Sequence, residues 1–287
     1  MKNLFDSFGS AIFRRAMAEA MLVGAFAGIV GVHVMLRKLS FFVVAMSHAT
    51  FPGIAIASAL GISLFLGGTA FGLLVVAAVL LFGSGRALNE SSIIGVILGG
   101  SFALGVLVIS ARPGSSKDLT SFLVGSILTV TSADLLQAAV AAVVVLGVLA
   151  LLHKELVFGA FDPVGMIAVG YSKVALDAVV LTAVTVTMVI AIPSVGTLLA
   201  VSLLTVPAVT ARLWTDTIRH LLLLSALFGS ASGLIGLCAS AIWRFAAGGS
   251  IVMTAGLFFV LSLGAKQFSS RVSAPADPPR ASAPASL

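Results

Sequence analysis

Apolar residues in this chain gather into runs of about 20, the length a helix needs to cross roughly 30 Å of hydrocarbon, and short polar or charged junctions separate them. Nine such runs predict nine spanning helices, near 16–36, 41–60, 62–82, 92–110, 134–152, 174–192, 194–212, 221–242 and 250–265. A tenth apolar piece, 122–130, is too short to span and contains Gly125. It suggests a half-helix that enters the protein from one face. The expected fold is therefore an all-α, polytopic transmembrane helical bundle.

Composition supports that class. Of 287 residues, 60% are hydrophobic and 9% charged, with mean hydropathy +1.20, against about 25% charged in a soluble domain. The formal charge of +6 sits in short junctions and forms no single stripe, which sets nucleic-acid binding aside. If the N-terminus lies outside, ten of the 16 Lys and Arg fall on the cytoplasmic side, among them Arg37, Lys38, Lys154 and Lys173. That bias favours N-out and C-in, in a cell (inner) membrane. The spans form one membrane domain over 1–265. Residues 266–287, rich in Pro, Ala and Ser, read as a disordered cytoplasmic tail. The single Cys238 permits no intramolecular disulfide.

Two places carry polar residues where the pattern does not require them. The first is the stretch 37–61, which opens on Arg37 and Lys38 and then sets His48, Pro52 and Gly53 inside an apolar run. Lipid cannot satisfy a bare polar group, so His48 should face a protein interior or a watery path. Imidazole suits zinc, iron and copper better than calcium or magnesium. His33 is a second candidate ligand, for which a packed structural histidine is the preferred reading. Pro52 with Gly53, and Pro207 in a later span, mark helix kinks or a gate, and the stretch from Pro193 to Gly196 is expected to form an outer turn. Asp134 and Asp177 lie near span ends, where interfacial water can solvate them, and Gly24, Gly28 and Gly31 favour close packing of the first helix.

The second place is the cytoplasmic segment 153–173, charged at both ends and apolar between. Asp162 before Pro163 is a good helix start, and Gly170 a good stop. A short helix results, either lying on the bilayer surface or docking a partner through Phe161, Val164 and Met166.

These motifs together resemble the membrane-spanning permease subunits of ATP-binding-cassette importers for zinc, manganese and iron ions. The likeness rests on V-V-A-M-S-H-A-T-F-P-G at 43–53, N-E-S-S-I-I-G-V-I at 89–97, K-D-L-T-S-F-L-V-G-S-I-L at 117–128, F-D-P-V-G-M-I-A-V-G at 161–170 and V-G-T-L-L-A-V-S-L-L-T-V-P-A-V-T-A-R-L at 195–213. Five segments in one order cover nearly the whole chain. The sequence departs from the family at Val44, where an aspartate commonly stands four residues before the histidine, and at Ser91, where an acid is common. The resemblance implies no permanently bound cofactor and no catalysed bond cleavage, with a divalent metal ion as cargo. It further implies a cytoplasmic ATPase that uses ATP and docks on Phe161, Asp162, Pro163, Val164, Gly165, Met166 and Gly170. An extracytoplasmic metal-binding protein and a second permease copy complete the set. The chain carries no G-x-x-x-x-G-K-[ST] phosphate loop of its own, consistent with a separate ATPase. The alternative is a gradient-driven secondary metal-ion transporter, which usually needs midplane carboxylates or broken helices. A channel would show a repeated polar filter, and an intramembrane enzyme paired catalytic groups.

Overall fold

The computed structural model describes residues 10–83, 90–111 and 125–272. Among them the regular structure is entirely helical: α1 (Ala11–Leu36), α2 (Ser40–Ala49), α3 (Phe51–Leu60), α4 (Leu64–Gly83), α5 (Glu90–Ser110), α6 (Ser132–Leu151), α7 (His153–Phe161), α8 (Pro163–Ala168), α9 (Lys173–Val195), α10 (Thr197–Arg212), α11 (Ile218–Trp243) and α12 (Ala247–Val272). A 3-10 turn at Ile127–Thr129 precedes α6. This is the expected helical bundle, with three adjustments.

Eight spans are long and apolar enough to cross a membrane, counting α2 and α3 as one. The ninth expected run is α10, a shorter helix of 16 residues. It is shorter because α9 runs on through Pro193 to Val195. The turn expected over 193–196 therefore narrows to Gly196, whose φ of +96° suits only glycine well. The second adjustment concerns the expected half-helix. Residues 122–124 lie outside the described residues, and 127–129 form the 3-10 turn. Ser126 donates its amide to the Pro193 carbonyl at 3.0 Å, and a side chain on Gly125 would collide with the backbone at Val195 and Gly196. The third is at the other end, where α12 continues to Val272, past the expected boundary at 265. Lys266 and Gln267 are good helix formers that carry the helix past that point. The rest of the expected tail, 273–287, lies outside the described residues.

The centre of the bundle is α1. In the most hydrophobic windows of α1, α2–α3 and α9, 67%, 72% and 72% of residues are buried, whereas α4, α5, α6 and α12 are mostly uncovered. The Gly24, Gly28 and Gly31 face does what its composition suggests. A Cβ at Gly24 would strike the backbone of Gly229, one at Gly28 the backbone of Ser225, and one at Gly31 the carbonyl of Leu204. Two hydroxyls on α11 use the close approach: Ser225 Oγ donates to the Gly28 carbonyl at 2.6 Å and Ser230 Oγ to that of Met21 at 3.1 Å. Because lipid supplies no hydrophobic drive between helices, such backbone-close packing and interhelical hydrogen bonds must hold them together.

Replacing Gly28 with leucine should therefore separate α1 from α11. We expect a loss on the order of 3 kcal/mol or failure to assemble, read as a lower Tm or a broadened gel-filtration peak in detergent. Gly147→Leu on α6, where an added side chain meets nothing within 4 Å, should change stability by less than about 0.5 kcal/mol.

Candidate metal path and docking surface

The α1–α2 junction is short and tightly specified. Lys38 takes a left-handed φ of +57°, a conformation that costs a non-glycine residue about 1 kcal/mol or more. The turn is held by Lys38 N–H donating to the Met35 carbonyl at 3.2 Å and Leu39 N–H donating to that of Val34 at 3.0 Å. Arg37, beside it, reaches back under the bundle. Its guanidinium pairs with Asp177 on α9 and donates to the Leu156 carbonyl on α7 at 3.4 Å. Asp177 is thus an ion-pair partner in the fold, beyond the water-solvated span end its position suggests. One arginine joins three elements.

His48 stands two turns into α2. Most of that helix is packed inward: Phe42, Val43, Ala45, Met46, Ser47 and Ala49 are all buried. The residues left open share one strip, with Phe41 45% and Val44 40% exposed and His48 partly exposed. Their spacing of three and four places them along one helix face. The imidazole meets the Phe102 ring edge-on, with centroids 5.9 Å apart. Ser47 and Thr50, the hydroxyls that flank His48 in sequence, are buried. Ser47 donates to the Val44 carbonyl at 2.8 Å and Thr50 to that of Met46 at 3.0 Å, so both hydroxyl protons are bonded within their own helix, and both residues are buried away from the open strip.

Pro52 shapes the end of the same helix. It has no N–H to give the carbonyl four residues earlier, which is that of His48. The helix is interrupted at Thr50 and resumes as α3 with Pro52 in its first turn. The His48 carbonyl thus lacks its regular helical donor and instead takes the Thr50 amide at the end of α2. Gly53 serves packing directly: a Cβ there would strike the Gly67 carbonyl, and one at Gly67 would strike Gly53 in turn. Pro207 is buried inside α10. His33 is 3% exposed within α1, whereas His48 opens onto the uncovered strip. Among the described residues, no three His, Cys, Asp or Glu side chains gather as a metal cluster.

The segment expected to dock a partner has an inner anchor and an outer face. Asp162 Oδ1 accepts the Gly165 amide at 2.8 Å, capping α8. Gly170, at φ +96°, ends the helix, with its amide on the Ile167 carbonyl at 3.0 Å and that of Tyr171 on the Met166 carbonyl at 3.2 Å. Met166, expected among the docking contacts, is 1% exposed and packs under Gly159. The exposed knob consists of Phe161 (66%) and Val164 (77%), joined by Ile167, Val169 and Tyr171. Sequence reasoning missed the last three. The helical spacing of 164 and 167 was the available signal. A cavity of about 350 Å³ lies behind the knob, lined by Arg37, Lys38, Pro163, Lys173 and Asp177 among others.

Known proteins share this architecture. The model of the ABC 3 transport family matches residues 10–266. The manganese transport system membrane protein MntC of Listeria monocytogenes is 32% identical, covering 88% of this chain and 90% of that protein. The manganese import system permease protein ScaB of Streptococcus gordonii is 34% identical over 87% and 89%. The solved structure of PsaBC from Streptococcus pneumoniae in complex with Fab superposes with TM-score 0.82 at 31% identity, covering 91% of this chain and 95% of the matched chain.

If the Arg37 junction acts as a unit, Arg37→Met and Asp177→Leu should each lower the Tm, and the double replacement should cost less than the two combined. The coupling expected for a partly buried charged pair is about 0.5–3 kcal/mol. Strictly additive losses would show that the pair contributes nothing to the junction.

Proposed function

Because the chain belongs to the ABC 3 transport family, we propose that it is the membrane-spanning permease of an ATP-binding-cassette importer carrying a divalent transition-metal ion into the cytoplasm. Manganese is the cargo we favour, from the names of the relatives above, over zinc or iron. The observation that carries the reading is His48 on the one uncovered strip of a helix that is otherwise packed inward.

In this reading two copies face each other across that strip, and the ion passes between them. Each copy offers the His48 imidazole, while Val44, in place of the family's aspartate, offers no ligand. The site is consequently weak within one chain and is completed by the second copy and by water, which suits an ion that must be released again. His33 remains a packing residue. On the cytoplasmic side an ATPase docks on the knob of Phe161, Val164 and Ile167. Its movement passes through Met166 and α7 to Arg37, and from Arg37 through the 38–39 turn into α2, because these elements are joined by hydrogen bonds and the ion pair. On the outer side a metal-binding protein delivers the cargo. The chain lies N-out and C-in and catalyses no bond cleavage itself.

Proteoliposomes holding the permease and its ATPase should take up manganese on ATP addition, and His48→Ala should slow uptake at least tenfold while the complex stays assembled. Normal uptake by that variant would remove His48 from the path. Uptake by the chain alone, driven by an ion gradient, would replace the importer reading with a secondary transporter. Val164→Glu places a charge on the apolar knob. It should weaken co-purification of the ATPase at least tenfold and leave the Tm within about 2 °C, since the residue is 77% exposed.

A further inference from the structure

A second polar site lies apart from the His48 strip. Near the start of α1, Glu19 is 3% exposed, and its Oε2 has no hydrogen-bond partner. It lies at the inner end of a cavity of about 420 Å³ that opens to the surface between α1, residues 62–65 at the start of α4, the 125–130 segment, the first turns of α6 and the last turns of α9. The other polar side chains in the wall are Ser63, Ser126, Thr129, Asp134, Gln137 and Ser194. No Lys or Arg is among the lining residues.

The wall is biased toward acceptors. Thr129 Oγ1 donates its proton to the Ser126 carbonyl at 2.8 Å, and Ser194 Oγ donates to that of Ile190 at 3.2 Å. The protons are spent on the backbone, so the oxygens' lone pairs remain. Asp134 accepts from Thr131 through Oδ2, from the amide at 2.9 Å and the hydroxyl at 2.7 Å. A buried carboxylate without a partner is costly. A second carboxylate, Asp134, and the Thr129 hydroxyl lie exposed at the rim of the same cavity, and a cation held between them and Glu19 would relieve that cost.

We propose that this cavity binds a divalent cation of the hard, oxygen-preferring class, with Glu19 as its buried ligand and Asp134 as the second carboxylate. Hydroxyl, amide and water oxygens complete the shell. The donor set contains no imidazole or thiolate, so it selects manganese, calcium or magnesium over zinc or copper. The volume accommodates a partly hydrated ion. Once bound, the ion ties the outer ends of α1, α6 and α9 to the 125–130 segment. The site stands independently of the transport reading, because none of its ligands belongs to α2.

The test is direct binding of Mn²⁺ to the purified full-length chain in lipid nanodiscs, followed by loss of the free-ion electron paramagnetic resonance signal. Wild-type protein should bind an ion that Ca²⁺ displaces. Glu19→Gln, which keeps the shape and removes the charge, should weaken that binding at least tenfold, and Asp134→Asn should weaken it less. His48→Ala should leave it unchanged. Mn²⁺ should also raise the Tm of wild type but not of Glu19→Gln, whose metal-free Tm shows whether it has folded. Unaltered binding by a folded Glu19→Gln would overturn the assignment. So would a wild-type chain whose only bound ion disappears with His48→Ala, whatever the uptake assay shows.

Discussion

Contact between backbones at the α1–α11 crossing sets the geometry of everything else. Gly24 and Gly28 bring α1 so close to Gly229 and Ser225 that no added carbon fits, and Ser225 turns the proximity into a hydrogen bond between helices. Gly31 repeats the arrangement against α10. A helix held this firmly on two sides becomes the axis of the bundle. Its two ends then present the chain's least conventional polar groups, Glu19 towards the start and Arg37 just past the finish.

Arg37 shows how a charge can be useful at that depth. A guanidinium has several donors in a fixed plane, so one side chain holds the Asp177 carboxylate and the Leu156 carbonyl together. The end of α1, α7 and α9 therefore meet at a single residue. Met166 completes the link from the other direction, buried beneath Gly159 while its neighbours Val164 and Ile167 point outward. Its side chain anchors the knob that its neighbours form.

Several parts of the site were legible in the chain because local rules govern them. The Asp162–Pro163 start, the Gly170 stop and the isolation of His48 in an apolar run follow from capping geometry and from the cost of polar groups in lipid. Other parts depended on which way a side chain faces. Ser47 and Thr50 flank His48 in sequence yet are buried and bonded to their own helix, whereas Val44, one turn away, shares the open strip. Glu19 escaped notice because a single acid near the start of a span resembles an interfacial residue; its burial comes from α6, α9 and the 125–130 segment closing over it.

By itself the sequence determined the class of the molecule, the approximate spans, the short helix α8 with its caps and the small-residue face of α1. Each depends on hydropathy, backbone conformation or the absence of a Cβ, all of which are carried by residues and their near neighbours. Tertiary structure decided that α10 is shorter than a full span, that Asp177 pairs with Arg37, that Met166 points inward and that Glu19 meets Asp134 across one cavity. Those outcomes join residues as many as 140 positions apart. They are set by which helix faces are pressed together, information that no local stretch of the chain contains.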